Sequence, residues 1–164
     1  MTIIADTREH ADQWERIQHG FDAAGVQYVR SKLLVGDYQA LENPLLVVDR
    51  KHNLAEVCNN FTDERKIEGR RRNRLEDEMV RAKELGIKIV FLVEHGGRVK
   101  SLEDVMDWQN PRLKTSPLAL TGPRIYRKML AYANLYGVEW QFCDKRHTAK
   151  RIVEILEEGQ HGKE

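Results

Sequence analysis

Residues 45–48, Leu-Leu-Val-Val, run straight into Asp49-Arg50-Lys51, and few folds accommodate that junction. Four consecutive apolar residues read as a buried strand. Placing Asp49 and Lys51 at the tip of such a strand costs solvation unless the two charges are used. On an extended chain they lie two apart and share a side. A second β-like run, residues 33–35, leads into Gly36-Asp37-Tyr38. If the two runs pair as a hairpin, Asp37 and Asp49 converge on one edge. Two carboxylates and an ammonium make a site for a hard cation, Mg²⁺ or Mn²⁺, with a lysine beside the attacking water. The plainer alternative is a Gly-Asp turn and an exposed ion pair of little energetic weight.

A chain of 164 residues, 41% apolar and 32% charged, is expected to fold as one domain with a substantial core. No apolar stretch approaches membrane-spanning length, and Met1 leads into a strand-like segment rather than a signal peptide. Cys58 and Cys143 stand apart, with neither metal-ligand spacing nor a disulfide framework. An intracellular, reducing setting is the expectation. A net charge of +1 excludes attraction of nucleic acid through overall charge, while leaving room for a local basic patch.

Patterning predicts the order β-α-β-β-β-α-β-α-β-α. A strand over 2–5 ends in Asp6-Thr7-Arg8-Glu9, and Trp14, Ile17, Phe21 and Ala24 follow at helical spacing up to a Gly25 cap. A strand over 26–35 is expected to form the hairpin with 45–51, and 54–60 a short helix. A longer helix over 64–85 carries Ile67, Leu75, Met79 and Ala82 on one stripe until Gly86. The run 87–93 is a buried strand ending in Glu94. Residues 102–108 read as a short helix and 110–123, with three of the four prolines, as a loop. A helix with Ile125, Met129 and Tyr132 inward, a strand over 138–143 and a helix over 147–158 complete the domain, leaving 159–164 as a disordered tail. The class is α/β, a mixed central sheet flanked by helices. Asp6, Asp49 and Glu94 all sit at strand ends, where α/β sheets collect their sites.

Five motifs in order carry a resemblance: Asp6-Thr7-Arg8-Glu9, Gly36-Asp37-Tyr38, Val48-Asp49-Arg50-Lys51, Arg74-Leu75 with Glu78 on a helix, and Phe91-Leu92-Val93-Glu94. Together they resemble the ERCC4-type nuclease domain of the XPF/MUS81 family, within the PD-(D/E)XK nucleases, over nearly the whole chain (domain 1–158). The resemblance implies a restriction-endonuclease-like fold and a Mg²⁺- or Mn²⁺-dependent endonuclease acting on branched, flapped or forked DNA. It implies Asp37 and Asp49 as metal ligands, and Asp6 as a further ligand or a support for them. Lys51 would act on the attacking water, and Arg8 and Arg50 on phosphate. Glu9 and Glu78 could either support the metal or balance Arg8 and Arg74, the structural reading being preferred, and Glu94 reads as an acid holding an arginine. The family's V-E-R-K is V-D-R-K here, one methylene shorter. No tandem helix-hairpin-helix follows, so the chain resembles a stand-alone, phage- or mobile-element-encoded version, which would work in the host cytoplasm or the nucleoid. The resemblance also implies a homodimer or a heteromeric partner, and no small-molecule cofactor.

Arg65, Arg70, Arg71, Arg72 and Arg74 read in two ways. A charged run on a helix is ordinarily a solvated face, here diluted by Glu64, Glu68, Glu76 and Asp77. Beside a nuclease cleft it is instead a phosphate-tracking ridge. The non-catalytic alternative for the whole chain is a DNA-binding or scaffolding partner of an active nuclease, a role that gives no reason to keep Asp6, Asp37, Asp49 and Lys51 together.

Overall fold

The computed structural model describes residues 1–67 and 69–161, with the side chains of 65–67 outside the description. Among the described residues eight strands form: β1 (Thr2–Ala5), β2 (Gln27–Arg30), β3 (Tyr38–Ala40), β4 (Asn43–Lys51), β5 (Glu64–Ile67), β6 (Arg70–Asn73), β7 (Lys88–Glu94) and β8 (Glu139–Cys143). Six of them make the sheet that carries the fold, in the order β2-β1-β3-β4-β7-β8. β4, β7 and β8 run parallel, β3 is antiparallel to both β1 and β4, and β2 closes the edge parallel to β1. The expected mixed sheet flanked by helices is therefore what the chain forms.

Helices cover both faces. Val47, Ile89, Phe91 and Val93 pack under α2 (Leu54–Thr62), α3 (Arg74–Glu84) and α4 (Gly122–Tyr136). Val48, Val90 and Leu92 face the other way, under α1 (Ala11–Ala23) and α5 (Thr148–His161). The two-residue period of a strand thus gives β4 two distinct sides. Asp49 and Lys51 continue the Val47 side, and Arg50 continues the Val48 side.

Three expectations are corrected. The run 26–35 does not pair with β4: β2 stops at Arg30 and pairs with β1, and β3 is the antiparallel partner that brings Asp37 to β4. The helix expected over 64–85 begins only at Arg74. Before it, β5 and β6 form a hairpin turned at Gly69, whose φ is +77°. Helical spacing did not extend there because Asn73 caps α3, its Oδ1 accepting the Glu76 amide at 2.7 Å. At the far end, α5 continues through Gly159 to His161. Gly159 fits there because a Cβ would collide with Leu46, and its carbonyl accepts from Asn43 Nδ2 at 3.2 Å. The rest of the expected tail, residues 162–164, lies outside the described residues, as do Glu68 and the side chain of Arg65.

Candidate active site

Gly36 sets the geometry of the site. Its φ of +72° lies in the left-handed region, and a Cβ would come within 3.0 Å of the Val47 side chain and 3.3 Å of the Val48 carbonyl. Only glycine lets the chain turn this tightly onto β4. The next residue, Asp37, then donates its amide to Val48 O at 3.0 Å, and its Oδ2 accepts the Arg50 amide at 2.8 Å. Asp37 is thereby seated beside the tip of β4, where Asp49 and Lys51 emerge.

These three side chains line an open cleft of about 520 Å³ at the strand ends, together with Arg8, Arg50, Glu56, Arg74 and Glu78. Asp49 is 4% exposed and Lys51 8%. The Lys51 ammonium stands 2.7 Å from Asp49 Oδ1 as a close, buried ion pair. Burial raises the Asp49 pKa to about 7; Lys51 acts in the opposite sense, and Glu78 adds to the rise. Burial, followed by the charges of Asp49 and Glu9, pushes Asp37 well above the usual carboxylate range. For Lys51, burial disfavours the charge, but Asp49 outweighs it and the net shift is upward.

The donor set suits a hard divalent cation. Two buried carboxylates repel each other there, and Lys51 offsets only part of their charge. Among the described residues no group of three or more His, Cys, Asp or Glu side chains converges as a metal cage. A cation here would rest on Asp37 and Asp49, with water and substrate oxygens completing its shell, an arrangement Mg²⁺ favours.

Of the other residues expected at the reaction centre, only Asp6 falls outside the cleft, and Arg8 and Arg50 are committed to carboxylate partners. Asp6, 1% exposed, lies outside the lining of the cleft. Its oxygens accept the Arg8 amide, Nε and Nη2 and the Leu33 amide, all at 2.7–2.8 Å. Burial works to raise its pKa, but these donors prevail and hold it at about 2. Asp6 therefore anchors Arg8, whose side chain remains 59% exposed at the cleft. Arg50 lies on the opposite side of β4 from Asp49. Glu9 takes its Nη2 at 2.7 Å and its Nε at 3.2 Å, and Glu94 its Nη1 at 3.3 Å. Glu94 also accepts from Arg16 at 2.5 Å and from the Thr148 hydroxyl at 2.7 Å. So Glu94 holds two arginines, and Glu9 balances Arg50 rather than Arg8.

Two carboxylates were under-read in the sequence. Glu78 does not balance Arg74; it lines the cleft and its Oε1 accepts the Gly36 amide at 3.0 Å. Glu56 lines it too, accepting the His52 amide, while Asn53 Oδ1 accepts the Glu56 amide at 2.8 Å. The Asn53-x-x-Glu56 spacing marks a helix start, with Asn53 as the cap, and was the available signal. Glu78 sits in a run of three acids, and only the Arg74-Leu75 motif marked it out. Of the arginine run, Arg70 and Arg71 are exposed on β6, Arg72 lies 3.7 Å from Asp77, and Arg74 opens α3 at the cleft.

The ERCC4 domain family model matches residues 5–155. Among solved structures, XPF from Aeropyrum pernix superposes with a TM-score of 0.68 at 21% identity, covering 98% of this chain and 65% of that one. The same archaeal protein in complex with DNA gives 0.65 at 20% identity, covering 98% and 66%. The chain thus spans about two thirds of the length of these structures. No curated protein matches it.

Proposed function

The chain belongs to the ERCC4 domain family, and from that premise we propose that it is a metal-dependent endodeoxyribonuclease. It hydrolyses phosphodiester bonds of branched, flapped or forked DNA with Mg²⁺ or Mn²⁺. The observation that carries this reading is the meeting of Asp37, Asp49 and Lys51 in one cleft. A structural relative bound to DNA supports the choice of substrate.

Asp37 and Asp49 would hold the cation, whose chemistry when bound would be to offer positive charge to a phosphoryl oxygen and to lower the pKa of the attacking water. Lys51, an ammonium against Asp49, offsets the charge that builds on phosphorus and orients the water. Arg8, braced by Asp6 and exposed at the cleft, takes a phosphate oxygen pair. Arg50 acts through position: held by Glu9 and Glu94 on one side of β4, it fixes the strand from which Asp49 and Lys51 project, and its own amide fixes Asp37. Arg70, Arg71 and Arg74 extend a phosphate-binding edge along the hairpin and the start of α3. The enzyme works where DNA is found, in the cytoplasm or nucleoid, alone or as a homodimer or heteromer.

The scaffold reading has one observation in its favour, the lack of a cage of three or more ligating side chains among the described residues. Cleavage of labelled duplex, single strand, flap, fork and four-way junction in Mg²⁺, Mn²⁺ or EDTA decides between them. Metal-dependent scission that falls at least about 100-fold in Asp49→Ala is the expected result. Binding without scission on every substrate and with either metal sinks the nuclease and leaves the scaffold.

A further inference from the structure

Between Trp108 and Val138 the chain carries Arg112, Lys114, Arg124, Arg127 and Lys128 and not a single Asp or Glu. The protein as a whole is close to neutral at +1, so this segment concentrates positive charge that is balanced elsewhere. The fold gathers it beside the cleft. Arg112 Nη1 donates to Asn59 Oδ1 at 2.9 Å, and Lys128 Nζ lies 5.7 Å from the Phe61 ring. Asn59 and Phe61 form the last turn of α2, and Asn60 between them lines the cleft. Arg124 stands one turn before Lys128 on α4, on the same side of that helix.

Like charges at that spacing repel, and a helix ordinarily answers them with carboxylates. α5 does: Lys150 and Arg151 pair with Glu154, and Arg151 also with Glu158. Among the described residues none of the five cations of the 108–138 segment has an acidic partner within salt-bridge distance, and Arg112, Lys114, Arg124 and Arg127 are exposed. A basic surface left unneutralised next to the cleft fits a long polyanion better than a small ligand.

We infer that the start of α4 and the 110–114 turn form a second phosphate-binding surface, which grips the backbone of a DNA duplex arm beyond the cleft. It is distinct from the β5–β6 hairpin and rests on the nuclease reading for its partner. Each contact releases counterions, so the surface sets the length and salt dependence of binding rather than the chemistry.

The test is fluorescence anisotropy of 12- and 30-base-pair duplexes with the full chain in EDTA, from 50 to 250 mM salt. The variant R112Q/R124Q/K128Q keeps a hydrogen-bonding side chain at Asn59. The expected result is a log–log salt slope shallower by about 2–3 on the long duplex. The short duplex should be affected less, and short-substrate cleavage in Mn²⁺ should continue. R124E/R127E, confined to exposed positions, is the check should the triple variant unfold; it must weaken long-duplex binding at least tenfold. An unchanged slope with either folded variant overturns the inference while leaving the nuclease reading intact. Wild-type protein that binds no DNA overturns both, and tighter binding of an equal-length RNA duplex overturns the choice of DNA.

Discussion

Asp37 and Asp49 are held in a place that disfavours their own charge, and the consequence can be measured at single residues. Burial raises Asp49 to about 7 and moves Asp37 in the same direction. An unfolded chain releases these protons near the ordinary carboxylate value of about 4. From there up to about pH 7 the folded state therefore binds more protons than the unfolded one, and metal-free stability falls as pH rises. Thermal unfolding in EDTA between pH 4 and 7.5 should show this decline, and Asp49→Asn should flatten it. A decline equally steep in the Asp49→Asn variant means that the charge is being accommodated elsewhere. Asp6 has the opposite sign: held at about 2 by Arg8 and Leu33, it stabilises the fold at neutral pH and loses that contribution only in acid. Two kinds of aspartate thus look alike in sequence and differ in what surrounds them. Asp37, Asp49 and Lys51 were legible because strand period and a glycine turn fix where they point. The commitment of Asp6 was not, since its partners Arg8 and Leu33 depend on how the chain leaves β1.

At the level of elements, β4 joins two charged layers that belong to opposite sides of the sheet. The Arg50 guanidinium ties Glu9, which follows β1, to Glu94 at the end of β7, while Arg16 of α1 and Thr148 of α5 close on Glu94. Removing one partner from such a buried network leaves charges without counterions, which costs about 3–5 kcal/mol. Arg50→Ala should lower stability by that amount in urea titration and should also weaken Mn²⁺ binding, because the strand carrying Asp49 loosens. A loss of stability with unchanged Mn²⁺ affinity removes the positioning role. The hairpin β5–β6 shows why element boundaries were harder to read than residues. Ile67, Leu75 and Met79 fit one helical stripe numerically, but Gly69 turns the chain and Asn73 restarts it, so only the latter two are on α3. A period count has no means of registering a break inside its own window. The pairing of β2 with β1, rather than with β4, was likewise a long-range choice: a parallel edge strand carries no local turn signal.

For the molecule as a whole, the cleft is where the fold is least at ease, and the proposed cation would relieve it. Two buried carboxylates that repel each other are a cost in the free protein and an asset once a cation sits between them. Mn²⁺ at about a hundredfold excess over its dissociation constant should raise the melting temperature by about 5–10 °C. Asp37→Asn should melt higher than wild type in EDTA and gain little from Mn²⁺. A variant that is both less stable without metal and still stabilised by it speaks against this site. The general architecture was accessible from the chain alone because alternation of apolar and polar positions names the class of sheet. Strand order was not, because it is decided by which buried surfaces meet. Along β4 itself, Val47, Asp49 and Lys51 share one side, which carries the proposed site, and Val48 and Arg50 share the other, where Arg50 is held by Glu9 and Glu94. Deleting a single residue from 45–48 would exchange the two sets, whereas lengthening the 41–42 corner would leave both where they are; a deletion-and-insertion scan should therefore return inert protein from the first and working protein from the second.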